Sequence, residues 1–352
     1  MKLRKTSDLK GGEVLARPVM TSDFHVLLSD GITLRPEYIE KIVEIGITEV
    51  YVKEDATYQE QALLLKKDVG TTFHNKLKSI MEKHTYQKNS ELVELSQTAD
   101  GIISSILEEE EIIDKIFDIK ERSSDIYEHS ISICSLATLT ALKLKLSKES
   151  VHDIAVGCLL HDLGLRYLTI SYADQPIDTL SSQELIEYKK HPVYGFSAVK
   201  DENWISELGK KIILCHHERL DGMGFPLRLR SRDIPLEAKI VSVCDTFDEM
   251  ICGIGCERQK VYKAVEYLKT FRGVKFETKV VDAFLEFTAV YPAGSEVLLS
   301  DGCVGKVIRQ NKEFPDRPVV QLLKDENGVS VSGEKMVDLI KINHIFVEKV
   351  LE

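Results

Sequence analysis

A chain of 352 residues exceeds what one ordinary hydrophobic core supports and implies two or three domains. Its 43% hydrophobic content with mixed charge excludes a disordered or fibrous class, and no apolar run approaches the roughly 20 residues that cross a bilayer. A net charge of −11 argues against a DNA or RNA polymer as partner, but leaves room for a small phosphate ligand met by metals or a few cations.

Residues 1–57 read as a small α+β module. The first twenty carry basic residues with no continuous apolar stretch behind them, so a signal peptide is not expected. Strand-like pieces fall at 13–16 and 26–28, a turn at Asp30-Gly31, a short helix at 36–45 and a strand at 48–52. Residues 58–118 are helical and charged, with apolar positions at Leu77, Ile80, Met81, Ile102, Ile103 and Ile106 and a like-charge run at 108–111. A connector with a solvated face is expected there. Residues 119–290 are helical by period, with stripes at Cys134, Ala137, Ala141 and Leu144, then Val151, Ile154 and Cys158. Ile240, Val241 and Val243 fit helix or strand equally. After Tyr291-Pro292, short β runs at 297–299, 304–307 and 319–323, with Asp301-Gly302 at a hairpin position and Asn327-Gly328 beyond, predict a C-terminal β module over 291–352. The expected fold is multidomain and mainly α, with a helical catalytic domain between a small α+β module and a small β module.

Seven scattered cysteines, an odd number in a chain that needs no staples, predict free thiols and a cytoplasmic location. Cys252 and Cys256 have no second Cys or His pair at finger-like spacing, so no zinc knuckle is expected.

The chemistry is concentrated in histidines and aspartates. Of ten histidines, His129, His161, His191, His216 and His217 recur at intervals of about thirty residues, a helix plus its return. Asp162 adjoins His161, and Asp245 follows. Antiparallel helices can bring such residues to one level. Imidazole and carboxylate without thiolate suit iron, manganese, nickel or zinc. Adjacent helical side chains diverge by about 100°. His216 and His217 on a regular helix would therefore serve two ions, or one of them would only support the other. Asp162 can bridge two ions with its two oxygens. Two adjacent ions suit phosphoester hydrolysis, since they acidify water and hold phosphate oxygens. Asp125, four residues before His129, is either a carboxylate for a third ion or a helix-start acid. His25, His74, His84, His152 and His344 lack such company and read as ordinary histidines.

These residues resemble the HD-GYP family of HD-domain phosphohydrolases. The match runs through Tyr127-Glu128-His129-Ser130, Leu160-His161-Asp162-Leu163-Gly164, Glu184, His191-Pro192 and Gly195. It continues through the string from His216 to Pro226, then Ile234-Pro235 and Asp245-Thr246-Phe247-Asp248. The resemblance implies an all-helical HD-type catalytic domain and hydrolysis of cyclic di-GMP to pGpG and GMP at two or three divalent ions, iron or manganese. It implies metal ligation by His129, His161, Asp162, His191, His216, His217 and Asp245, with Asp162 bridging. It also implies substrate contacts at Arg219, Asp221, Gly222, Gly224, Phe225 and Pro226, Phe225 standing where a tyrosine is usual.

Two departures concern the grip on phosphate. The usual lysine after H-D-x-G is Leu165, with Arg166 next to it. The usual basic string after D-x-F-D gives way to Ile254-Gly255-Cys256-Glu257, with Arg258 and Lys260 just beyond as substitutes. Three readings follow: an active cyclic-dinucleotide phosphodiesterase, a silent nucleotide sensor or scaffold, and a hydrolase of another phosphoester. The outer modules suggest a homodimer or a signalling partner.

Overall fold

The computed structural model describes residues 2–6, 13–15, 19–20, 26–28, 34–45, 47, 49–52, 67–87, 90–108 and 124–351 (without 174–175 and 312–313), with single positions at 9, 32 and 119. The Asp30-Gly31 turn, His25 and the acidic residues 109–111 lie outside these residues. The chain divides into two compact units, Met1–Gln61 and Ala62–Glu352.

In the first unit, β1 (Lys2–Lys5) pairs antiparallel with β4 (Glu49–Val52), and β2 (Val19–Met20) with β3 (Val26–Leu28). Helix α1 (Pro36–Glu44) starts on a proline, whose missing N–H is no loss in a first turn. Leu15, Leu34, Ile42, Val50 and Val52 form its core.

The second unit is mostly helical. In chain order it comprises α2 (Lys67–Gln87), α3 (Glu94–Leu107), α4 (Ile126–Lys143), α5 (Lys148–Leu160), α6 (Ser182–Tyr188), α7 (His191–Val199), α8 (Glu207–Cys215), α9 (Leu236–Cys252), α10 (Val261–Thr270) and α11 (Thr278–Leu285). Local chemistry sets several helix starts. Asp125, Ser147, Ser181 and Ser206 each accept a backbone N–H of the first turn from the N-cap position. Ser181 and Glu184 form a capping box, which is the work of Glu184 here. Gly253, at φ 81°, ends α9.

Three findings sharpen the sequence picture. First, α2 and α3 are part of the helical body, not a detached connector. Leu77, Ile80, Met81, Leu95, Ile102 and Ile106 share one buried core with α4, α5 and α9, while charged residues keep the outer faces. Second, the segment open to either assignment is helical, because Ile240, Val241 and Val243 belong to α9 and are fully buried in that core. Third, β5 (Glu296–Leu299), β6 (Val304–Arg309), β7 (Val319–Lys324), β8 (Met336–Asp338) and β9 (Val347–Val350) form one antiparallel sheet in the order β8-β7-β6-β5-β9. Gly302, at φ 86°, makes the β5–β6 turn, and Val297, Leu299, Val307, Val320 and Leu339 fill a separate small core. All seven cysteines are free of disulfides. No helix among the described residues is long and apolar enough to cross a membrane.

Candidate metal centre

Five helices deliver the ligand-type side chains. His129 comes from α4, His161 and Asp162 from the end of α5, His191 from the first residue of α7, His216 and His217 from the end of α8, and Asp245 from α9. All seven are buried, none more than 5% exposed.

Asp162 stands between two histidine groups. Its Oδ2 lies 3.3 Å from His161 Nε2 and 3.7 Å from His129 Nε2, while its Oδ1 lies 3.3 Å from His191 Nε2 and 3.8 Å from His216 Nε2. Asp245 joins the first group, with Oδ1 3.3 Å from His129 Nε2 and 3.6 Å from His161 Nε2. Two ligand sets result: His129, His161, Asp162 and Asp245 on one side, and Asp162, His191, His216 and His217 on the other. In the second set one ligand atom from each residue lies within 4.8 Å of every other. One ring nitrogen of His216 and one of His217 thus fall in the same set. Helix α8 ends at Cys215, and the pair occupies the turn that follows it.

One local device aims three of the rings. The Nδ1–H groups of His161, His191 and His216 donate to the carbonyls of Cys158, Tyr188 and Ile213, each three residues earlier, at 2.7 to 2.8 Å. A carbonyl only accepts, so each Nδ1 carries the proton and each Nε2 turns its lone pair inward. His129 Nδ1–H donates to Asp248 Oδ2 at 2.7 Å, and Ser132 steadies that carboxylate through Oδ1. Carboxylate-supported imidazoles of this kind hold metal-ligand geometry. Asp248→Asn is expected to weaken metal binding by about 10- to 100-fold, measured by Mn(II) titration, with helical content unchanged. An unaltered titration would reduce Asp248 to a packing role.

The residues fit divalent ions. His129 Nε2, His161 Nε2 and both oxygens of Asp245 are buried without a hydrogen-bond partner. The Nε2 atoms of His191 and His216 face each other at 3.2 Å, with both Nδ1 protons donated elsewhere. Two lone pairs held that close call for a cation between or beside them. Burial would lower the His161 imidazole, but Asp162 and Asp245 raise it to about 10. Burial lowers His216 to about 3, and the nearby His161 adds to the shift. Burial would raise the Asp162 carboxyl, yet His161, His191 and His129 hold it well below the carboxylate range. Binding of metal to such a cluster displaces protons.

Asp125 takes the helix-start position: its Oδ1 accepts from Tyr127 N and Glu128 N and meets His74 Nε2 at 3.1 Å. It is in neither ligand set, and His74 has the carboxylate company that the sequence did not suggest.

The loop after His217 is organised by Glu218, a residue without a role in the sequence reading. Its buried carboxylate accepts from Leu227 N and Leu229 N at 2.6 and 2.8 Å. Phe225 stacks on His217 with ring centroids 4.5 Å apart, and Lys189 lies over the Phe225 ring. A Cβ at Gly224 would sit within 2.6 Å of the backbone of His217, Glu218 and Arg219. Asp221 closes a turn by accepting from Met223 N, and Gly222 follows it at φ 77°. Pro226 follows Phe225 in the same loop. Arg219, expected at the substrate, donates instead to the His216 and Glu218 carbonyls, Ser242 and Thr246. It ties the loop to α9.

The two departures are structural as well. Leu165 is 2% exposed, and Arg166 beside it has a buried Nε without a hydrogen-bond partner, within electrostatic reach of Tyr127 and Tyr172. Ile254 is buried and bridges Ala173, while Gly255 N donates to Tyr172 O and Gly255 O accepts from Ile177 N. Arg258 and Lys260 are exposed. Lys260 lines a cleft of about 300 Å³ with Tyr262, Val290, Glu296 and Val350, where α10 meets the C-terminal sheet, apart from the metal centre.

Comparison with known proteins matches residues 108–280 to the HD domain family and residues 296–352 to a KOW domain associated with HD domains. A cyclic di-GMP phosphodiesterase of Pseudomonas aeruginosa is 27% identical over 245 residues, 69% of this chain and 59% of that protein. A cyclic di-GMP phosphodiesterase of Thermotoga maritima is 28% identical over 268 residues, 72% of this chain and 70% of that protein. The chain thus spans under two thirds of the Pseudomonas relative's length. In fold it is similar to an HDG"Y"P protein from Bdellovibrio bacteriovorus, with a TM-score of 0.53 at 20% identity over 80% of this chain and 97% of that one. The HD domain match covers α4 to α10, the helices that carry all seven ligand-type residues, so residues 108–280 form a domain of the HD family, and the fold is similar to that of an HD-GYP protein.

Proposed function

We propose that this chain hydrolyses a phosphodiester bond of a cyclic dinucleotide, cyclic di-GMP before others, to the linear dinucleotide and the mononucleotide, in the cytoplasm. The observation that carries the reading is Asp162, whose two oxygens face two separate histidine groups. His129, His161 and Asp245 would hold one divalent ion and His191, His216 and His217 the other, with Asp162 shared and iron or manganese suited to these donors. The chemistry supplied by such a pair when bound is Lewis acidity toward phosphate oxygens and acidification of water.

The chain's own residues do the rest. Nδ1 hydrogen bonds fix the ring orientation of His161, His191 and His216, so each turns Nε2 toward the place of a cation. Phe225 covers His217 and offers its ring edge and outer face toward a base. Arg166 on the Tyr172 side and Lys189 over Phe225 supply positive charge for the substrate's phosphates in place of the cations missing at Leu165 and Ile254. The outer modules serve docking or signal input.

Protein loaded anaerobically with Fe(II), or separately with Mn(II), should convert cyclic di-GMP to pGpG or GMP by chromatographic product analysis, and a chelator should stop it. Absence of product from any cyclic dinucleotide, with metal confirmed present, would sink the proposal. It would favour a silent nucleotide sensor, the reading that the buried Leu165 and the closed segment at Ile254 support.

A further inference from the structure

Helix α9 ends on a cysteine, and the chain meets a second one four residues later, in Cys252-Gly253-Ile254-Gly255-Cys256. Gly253 and Gly255, at φ 81° and 66°, reverse the chain, and Gln259 N donates to Met250 O at 2.7 Å as it returns alongside the helix. Both thiols donate to one acceptor, the Glu249 carbonyl, Cys252 Sγ at 3.8 Å and Cys256 Sγ at 3.4 Å. The sulfurs are therefore no farther apart than those two distances laid end to end. Cys252 is fully buried, whereas Cys256 is one of the two cysteines among the seven that are not.

This turn packs against both sides of the metal centre. Cys252 Sγ lies 3.9 Å from His129 Nδ1, the atom that donates to Asp248 one helical turn earlier on α9. A Cβ at Gly255 would meet the Tyr188 hydroxyl oxygen at 2.7 Å, and the Tyr188 carbonyl accepts from His191 Nδ1 at 2.8 Å. A shift of the turn is therefore felt at His129 and at His191.

We propose that Cys252 and Cys256 form a reversible disulfide on exposure to hydrogen peroxide, and that its formation weakens the metal centre through His129. The inference goes beyond the phosphodiesterase reading and rests on it only for the purpose of the metal. Cys256, the thiol that solvent reaches, attacks one peroxide oxygen as thiolate. Its S–O bond forms, the O–O bond breaks, and hydroxide leaves as water after taking a proton. Cys252 then attacks the sulfenic sulfur: the S–S bond forms, the S–O bond breaks, and a second water leaves with the Cys252 proton. The two thiols lose two electrons and peroxide gains them. A dithiol reverses the step by exchange. Closing the pair to the about 2.05 Å of a disulfide draws Cys252 Sγ toward the solvent side and away from the buried His129 ring.

The test uses the reduced, metal-free full-length chain, treated with hydrogen peroxide, freed of it, then unfolded and alkylated with N-ethylmaleimide. The tryptic peptide 240–258, which also carries Cys244, should take up one alkyl group, on Cys244, in place of three, and a dithiol should restore all three. A Mn(II) titration followed by electron paramagnetic resonance should show the oxidised chain binding at least about 10-fold more weakly than the reduced one, with no such loss in Cys256→Ser. A count above one, or a count of one that a dithiol does not restore, would overturn the disulfide. Unweakened Mn(II) binding by the disulfide-bonded chain, or an equal loss in Cys256→Ser, would overturn its coupling to the centre. A reduced chain that takes up no Mn(II) would overturn the metal centre and the coupling with it, while the alkyl count still decides the disulfide.

Discussion

Asp162→Ala is expected to abolish hydrolysis of a cyclic dinucleotide, lowering kcat by at least about 10³-fold, well beyond the 10- to 100-fold typical of losing a supporting partner of a ligand. The reason is geometric. Asp162 has oxygens facing both histidine groups, at 3.3 Å from His161 on one side and 3.3 Å from His191 on the other. Alanine would leave five imidazoles without the shared anion that draws two cations together. The surrounding core consists of apolar residues from α4, α5, α8 and α9, and it does not depend on this carboxylate. Circular dichroism should therefore be retained while product formation and metal content fall together. Full activity at unchanged metal content would show that Asp162 is not the shared ligand.

The second large effect is predicted at a residue with no functional group. Gly164→Ala would place a Cβ 1.8 Å from the carbonyl oxygen of His191 and 2.9 Å from the amide nitrogen of Gly195. Both are backbone atoms, so no rotamer change can relieve the contact. The turn after Asp162 and the start of α7 pack backbone against backbone, and this approach brings His191 Nε2 to Asp162 Oδ1. Overpacking at such a contact costs about 3 kcal/mol or more, because α7 must move away. The denaturant midpoint should fall, and Mn(II) binding should weaken with it as His191 withdraws. A variant with the wild-type midpoint and titration would mean that the two segments can separate without consequence for the site.

The residues of the candidate centre were legible because metal ligation demands particular side chains, and five histidines with two aspartates at helix-length intervals have few other uses. Helix starts were legible for a similar reason. Asp125, Ser147, Ser181 and Ser206 satisfy orphan N–H groups only a few residues away, so sequence proximity and spatial proximity coincide. Turns behaved alike: Asp301-Gly302 marked the β5–β6 hairpin because only the local backbone matters there.

Other features depend on contacts between distant parts of the chain, and no local pattern encodes them. Asp248 reads as one more acid on a helix, yet it supports His129 from 119 residues away. Arg219 has the look of a phosphate ligand, but the packing of α9 against the loop engages its donors with Ser242 and Thr246. His216 and His217 meet His191 and Asp162 in one set only through the packing of α7 and the end of α8. The charged stretch that looked like a connector became core once α4 and α5 offered an apolar surface for α2 and α3. The sequence by itself determined the set of ligand-type side chains and the local shape of the helices and turns, since these follow from side-chain identity and neighbours along the chain. The tertiary structure alone decided which polar groups meet across the helices and which remain available to a ligand, since hydrogen bonding and burial in a packed interior are set by every element at once.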